Sequence, residues 1–293
     1  MSGPRRAGEF PLREAIVAAV RELDQAGVAS PRVDAELLAA HVLGCSRAEL
    51  LTVDRLTTVQ MEKFLHLVRQ RADRVPLQHL TGSAGFHRLE LAVGPGGFVP
   101  RPETELLVEW GLAAVAETPR PLVVDLCAGT GAIGLAVAAA RPDAVVYAVE
   151  RDPHALCWLH RNAADRHRAG EKPVTVVAGD AVAPQVLAGL DGRVDLVLAN
   201  PPYVPAGVAV PAEVAGHDPY HAVYAGADGL AVIRPLIARA RVLLRPGGWL
   251  GAEHDDSHGD AVPELLTAAG FAEVADHRDL AGRHRFAIAR RRP

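Results

Sequence analysis

From residue 121 onward, short apolar runs alternate with amphipathic segments, and no other feature of the chain constrains its fold so tightly. The runs fall at 122–127 (LVVDLC), 144–149 (AVVYAV), 174–178 (VTVVA), 194–199 (VDLVLA), 249–253 (WLGAE), 271–276 and 284–290. Helical spacing fills 131–140, 153–167, 229–244 and 259–269. A strand with one wet face alternates apolar and polar residues. These strands are almost continuously apolar, so both of their faces need cover. Helices between them supply that cover. The pattern predicts an α/β fold: a doubly wound, mostly parallel, seven-stranded Rossmann-like sheet. The last two strands have no helix between them, so they are expected to pair antiparallel.

The first third reads differently. Residues 1–10 are expected to be a loose tail, 11–76 an N-terminal helical domain, 77–100 a hairpin linker, and 101–293 the sheet domain. Within 11–76, Leu12, Ile16, Ala19, Val20 and Leu23 recur at helical spacing, and Gly27 stops the run. Ser30 and Pro31 open a second helix that ends at Gly44. Ser46 with Glu49, and Thr57 with Gln60, have the spacing of capping boxes. Pro76 closes the last helix. Residues 1–80 carry 11 basic and 10 acidic side chains, a balance unlike that of a nucleic-acid-gripping helix set.

Charge argues against one large class of function. The formal net charge is −4 and the pI about 6.3, so no overall basic field attracts nucleic acid. Cys45, Cys127 and Cys157 lack metal-type spacing and read as reduced thiols of a cytoplasmic protein. No apolar run nears the roughly 18 residues of a membrane span, and the opening MSGPRRAGEF has no apolar signal core.

The stretch VVDLCAGTGAIGLAVA sets a glycine turn between the first strand and first helix of the sheet domain. Its Gly129-x-Gly131-x-x-Gly134 spacing fits a nucleotide-binding turn, and Glu150 ends the next strand, where a carboxylate can accept from a ribose diol. The glycine pattern alone would suit NAD as well as S-adenosylmethionine. Asp125 tips the reading: a carboxylate two residues before the turn repels a pyrophosphate and suits a cationic ligand, so S-adenosylmethionine is expected. Asp180, after the third strand, is placed to accept from an adenine amino group.

The fourth strand ends in LVLANPPYVP. Two prolines fix the chain direction after Asn200 and supply no N–H. A planar nitrogen, in a side-chain amide or an exocyclic base amine, is a poor nucleophile because its lone pair is delocalised. The Asn200 side-chain oxygen and the Pro201 carbonyl can accept both of its N–H groups and hold it in line with a methyl donor. Tyr203 supplies an aromatic wall. Asn200, Pro201 and Tyr203 are therefore the expected catalytic residues, and Asn200, Pro201, Pro202 and Tyr203 the substrate-binding set.

NPPY downstream of DLCAGTG resembles the amino-methyltransferases that act on planar nitrogens. The ordered set PLQHLTG, FVPRPETE, NPPYVP, AGADGL, LRPGGWLGAEH and DLAGRHR, spread over about residues 11 to 290, resembles the release-factor glutamine N(5)-methyltransferases. The resemblance implies a substrate: the glutamine of the Gly-Gly-Gln motif in class 1 peptide-chain release factors. It implies that Cys127, Ala128, Gly129, Thr130 and Gly131 form the cofactor loop, that Glu150 binds ribose, and that Asp180 and Ala181 flank adenine. It implies that Asn200 to Tyr203 hold the glutamine, with Asn200 also beside the cofactor, and that Phe98 to Glu105 border both pockets. Two features depart from the family pattern. Asp218-Pro219 stands for a usual Glu-Pro, and Asp255 and Asp256 occupy a loop that usually contains glycine. His254, Asp255, Asp256 and His258 lack His-Glu-x-x-His spacing and read as a solvated polar turn, with no metal expected. The other readings are a DNA or RNA amino-methyltransferase, a ribosomal-protein glutamine methyltransferase, a non-catalytic cofactor-binding module, and an NAD oxidoreductase.

Overall fold

The computed structural model describes residues 9–293, which form two compact units. One holds the chain up to Gly82 together with Val210–His217; the other holds Ser83–Ala209 and Asp218–Pro293.

In the first unit, β1 (Glu9–Pro11) leads into α1 (Leu12–Gln25) and α2 (Pro31–Leu43). A 3-10 turn follows at Glu49–Thr52, then β2 (Arg55–Thr57), α3 (Thr58–Ala72) and α4 (Leu77–Thr81). Pro31 sits in the first turn of α2, and Gly44 closes that helix in the left-handed region at φ 67°. Thr57 and Gln60 form a reciprocal capping box. Ser46 and Glu49 also bond reciprocally, but they open only the 3-10 turn. Leu12, Leu23, Leu38, Leu56, Phe64 and Val68 make the core. Arg71 is buried between Asp34 at 2.7 Å and Glu213 at 2.8 Å. Residues 1–8 of the expected tail lie outside the described residues. Glu9 and Phe10 are not tail: they pair antiparallel with Thr57 and Leu56. A three-residue strand is too short to show a period in sequence.

The second unit opens with a hairpin, β3 (Ser83–Phe86) and β4 (Leu89–Ala92). Next come a 3-10 turn at Pro102–Thr104, α5 (Glu105–Ala114), β5 (Leu122–Leu126), α6 (Ala132–Ala140), β6 (Val145–Glu150), α7 (Pro153–Arg168) and β7 (Thr175–Ala178). After β8 (Val194–Ala199) the chain carries two short helices, α8 (Ala212–His217), which belongs to the first unit, and α9 (Tyr220–Val223). It finishes with α10 (Ile233–Leu243), β9 (Leu244–Glu253), α11 (Ala261–Ala268), β10 (Phe271–Arg278) and β11 (His284–Arg291).

The strands form the expected seven-stranded sheet in the order β10-β11-β9-β8-β5-β6-β7. β9, β8, β5, β6 and β7 run parallel, and β11 pairs antiparallel with both β9 and β10. Neighbouring residues of one strand feed different cores. Val123 and Leu196 pack with α5 and α6, whereas Val124 and Val197 pack with α10 and α11. That two-sided burial is why the strands read as unbroken apolar runs.

β9 begins at Leu244, five residues before its expected start at 249. Val194 pairs with Leu244 and Leu196 with Trp249, so residues 245–248 bulge from the ladder. Pro246, Gly247 and Gly248 look like a turn in sequence because a bulge uses the same residues.

Candidate active site

The turn after β5 is built by glycine geometry. Gly131 has φ 94°, and a Cβ there would lie 2.5 Å from Leu159 and 2.9 Å from Leu135. Its role is to let α6 pack closely. Gly129 is different: at φ 57°, a Cβ built on it would meet nothing within 4 Å, so open space lies over the turn. Cys127 also lies in the left-handed region, at φ 63°, with its thiol pushed up by burial and by Glu150. The Ala128 N–H donates to Val149 O at 2.9 Å and the Gly131 N–H to Ala128 O at 2.8 Å. Thr130 is buried, and its carbonyl accepts from Asn162 at 2.9 Å.

Asp125 requires a correction. It does not face a ligand: it is fully buried, and its Oδ2 accepts from the Gly134 N–H at 2.8 Å. Burial, opposed by the Gly134 hydrogen bond and assisted by Glu150, raises its carboxyl to about 8. A neutral buried acid repels no pyrophosphate. The strand residue that looked like a charge sensor is a strut for the first turn of α6.

This predicts a pH signature. The unfolded carboxyl loses its proton near pH 4, whereas the folded one keeps it to about 8. Folding therefore takes up a proton across pH 4–8, and stability falls as pH rises through that window. Asn at 125 preserves the shape and the acceptor but cannot titrate. Between pH 5 and 7, wild type should lose stability relative to Asp125→Asn by up to about 1.4 kcal/mol per pH unit. Parallel urea-melt stabilities for the two proteins across that range would show that Asp125 is ionised in the fold.

At the end of β6, Glu150 is a hub for backbone donors. Its Oε2 accepts from the Gly129 N–H at 2.8 Å, and its Oε1 from Arg151 and Asp152 at 2.7 and 2.8 Å. A carboxylate has about four lone-pair sites, so one on Oε2 remains for another donor. Asp180 is half-exposed beyond β7. It caps its own turn by accepting from the Val182 N–H at 3.2 Å and lies 3.6 Å from Arg151. Ala181 is buried beside it.

β8 carries Asn200 to the same sheet edge. Leu126 pairs with Ala199, so Cys127 and Asn200 leave the sheet side by side. The Asn200 Nδ2 donates to Thr104 Oγ1 at 3.2 Å. Thr104, 3% exposed, donates its hydroxyl proton to Glu253 Oε2 at 2.6 Å. The other oxygen of Glu253 accepts from the Tyr203 hydroxyl at 2.9 Å. Burial raises the Glu253 carboxyl, and the Thr104 and Tyr203 hydroxyls with Arg285 oppose it. Burial, with Glu253, likewise raises the Tyr203 phenol. Pro201 is buried, while Pro202 and Tyr203 are half-buried.

Backbone contacts fix the corner beyond Tyr203. Val204 N–H donates to Val223 O at 3.0 Å, and Ala206 N–H to Gly226 O at 2.8 Å. Gly229 has φ 74°, and a Cβ there would lie 2.3 Å from the Tyr203 carbonyl, which explains glycine in AGADGL. Arg101 lies 3.0 Å from buried Asp218 and stacks 4.8 Å over the Phe98 ring. Asp218, standing for a usual Glu, keeps a carboxyl against this segment; burial raises it to about 6 against the pull of Arg101. Asp255 caps its own 3-10 turn through Ser257, but the turn is not solvated throughout: His254 is buried 3.0 Å from Asp276, and buried His258 donates from Nε2 to Asp228 O at 2.9 Å. Among the described residues, no three His, Cys, Asp or Glu side chains are grouped to hold a metal ion.

Reading the sequence alone overlooked Glu253 and gave Thr104 no part of its own. A signal existed for the first: Glu253 ends an apolar strand at the same sheet edge as Asn200.

Residues 104–216 match the model of the Methyltransferase small domain, and 14–82 that of the PrmC N-terminal domain. The sheet, its glycine turn and this match define a Rossmann-like methyltransferase. A release factor glutamine methyltransferase of Mycolicibacterium smegmatis is 51% identical over 282 residues, spanning 96% of this chain and 98% of that one. Its Streptomyces coelicolor counterpart is 46% identical, spanning 94% and 96%. The chain belongs to the release factor glutamine methyltransferase family. A solved structure of the T. thermophilus 16S rRNA N2 G1207 methyltransferase with AdoMet and guanosine gives a TM-score of 0.50 at 21% identity. It spans 72% of this chain and 50% of that one, and bears on the fold alone.

Proposed function

We propose that this enzyme transfers a methyl group to the side-chain amide nitrogen of the glutamine in the Gly-Gly-Gln motif of class 1 peptide-chain release factors. S-adenosylmethionine, when bound, supplies a methyl on a cationic sulfur that keeps the S–C electron pair and leaves as a thioether. The residues fit that group. Space is open over Gly129, Glu150 keeps one acceptor site for a ribose hydroxyl, and Asp180 with Ala181 can border the adenine. Asp125 contributes to the turn and not to the choice of ligand. The preference for S-adenosylmethionine over NAD rests on family membership and on the corner at Asn200.

The observation that carries the reading is the orientation of Asn200. Its NH₂ is committed to Thr104, so its oxygen is the atom left to meet a substrate. That oxygen and the Pro201 carbonyl accept the two N–H groups of the glutamine amide. The nitrogen is thereby held with its face toward the methyl, and alignment supplies most of the rate. Tyr203 packs against the amide plane. After the N–C bond forms, one N–H proton passes to water, so no strong base is needed.

The three cysteines are free, which fits work in the reducing cytoplasm, where release factors act. Among the described residues no helix is long and apolar enough to cross a membrane.

The test is transfer of labelled methyl from S-adenosylmethionine to purified release factor, with duplex DNA in a parallel reaction. Label is expected on the release factor alone. Label on DNA with none on the release factor would replace this reading by the nucleic-acid one.

A further inference from the structure

We propose that Glu253 is a positioning residue that, through the hydroxyl of Thr104, fixes which end of the Asn200 amide meets the substrate. The inference rests on the function proposed above and deepens it. The oxygen and NH₂ of an asparagine are nearly identical in shape, so packing alone cannot choose between them. In this site the choice has chemical consequences. A substrate amide nitrogen carries only donors, so an Asn200 turned by 180° would set donor against donor.

The hydrogen bonds remove that freedom in three steps. Both oxygens of Glu253 act as acceptors, Oε2 from the Thr104 hydroxyl and Oε1 from the Tyr203 hydroxyl, and Arg285 favours the charged form. Glu253 is 1% exposed, so water does not compete for its oxygens, and its Oε2 takes the single hydroxyl proton of Thr104 at 2.6 Å. Thr104 Oγ1 is then left with lone pairs, to which only the NH₂ of Asn200 can donate, as it does at 3.2 Å. The Asn200 oxygen is left for the substrate. The second oxygen of Glu253 holds the Tyr203 phenol at 2.9 Å, so one carboxylate sets two sides of the corner. Glu253 and Thr104 are 149 residues apart in sequence, and Arg285 offsets part of the buried negative charge.

Thr104→Val keeps the volume and removes the hydroxyl, whereas Thr104→Ser keeps the hydroxyl. Glu253→Gln keeps the shape but offers one acceptor and one donor where two acceptors stood. Thr104→Val and Glu253→Gln should each lower kcat on the release factor by on the order of ten- to a hundredfold. Cofactor affinity should stay within about twofold, because these side chains do not touch that turn. Thr104→Ser should keep kcat within about threefold. The double variant should lose no more than Glu253→Gln alone, since both changes break one chain. A purely structural role would instead lower melting temperature and cofactor affinity together. Wild-type kcat in folded Thr104→Val overturns the inference, as does full additivity in the double variant. Should Thr104→Val fail to fold, wild-type kcat in Glu253→Gln overturns it equally. Wild-type enzyme inactive on the release factor defeats the functional reading and this inference with it. Active wild type with unimpaired variants defeats the inference alone.

Discussion

Asn200→Ala loses methyl transfer by on the order of a hundredfold or more, while the protein stays folded and still binds its cofactor. The side chain is half-buried, and its partner in the fold is Thr104, at 3.2 Å. Truncation leaves that hydroxyl bonded to Glu253, so the stability cost is about one neutral hydrogen bond, roughly 1 kcal/mol. The chemical cost is larger. One preorganised acceptor at the reacting nitrogen disappears, and the amide is free to rotate out of line. Single-turnover kinetics with saturating cofactor separate the two effects. A folded Asn200→Ala enzyme with near-normal single-turnover rate would remove the amide cradle from the mechanism.

Glu150→Ala raises the cofactor Kd by about ten- to a hundredfold, the value of one charge-assisted hydrogen bond. It also leaves the N–H groups of Gly129, Arg151 and Asp152 without their common acceptor. The turn over Gly129 therefore loosens as well as losing a ribose partner, and kcat at saturating cofactor should fall less than affinity. Glu150→Gln separates the contributions, because one amide oxygen can retain the Gly129 N–H but not the Arg151 and Asp152 pair. Titration calorimetry reads both variants. An unchanged Kd in Glu150→Ala would place the nucleoside elsewhere.

The sheet was legible because its strands are buried on both faces, and burial of Val123 and Val124 on opposite sides leaves an unbroken apolar run. The corner at Asn200 was legible because prolines are conspicuous and their backbone consequences are local. What escaped depends on contacts between distant residues. The β1–β2 pair joins two three-residue segments that carry no periodicity of their own. The first half of β9 hides behind Pro-Gly-Gly, because only the partner strand shows that these residues bulge and do not turn. Asp125 shows the limit most clearly. Its place before the turn marks it as special in sequence, but nine residues later the Gly134 N–H bonds its carboxyl and turns it inward. The partnership of Thr104 and Glu253 had no local signal; it exists only once the Pro102–Thr104 turn lies against the end of β9.

The glutamine assignment has the most direct test in the mass of one peptide. Release factor incubated with the enzyme and S-adenosylmethionine, then digested, should show its Gly-Gly-Gln peptide heavier by one methylene, with fragmentation placing the gain on the glutamine side chain. A release factor with Asn in place of that Gln should show no gain, because the shorter side chain cannot bring its nitrogen into line. An unmodified Gly-Gly-Gln peptide under conditions where the enzyme consumes S-adenosylmethionine on another acceptor would contradict the assignment.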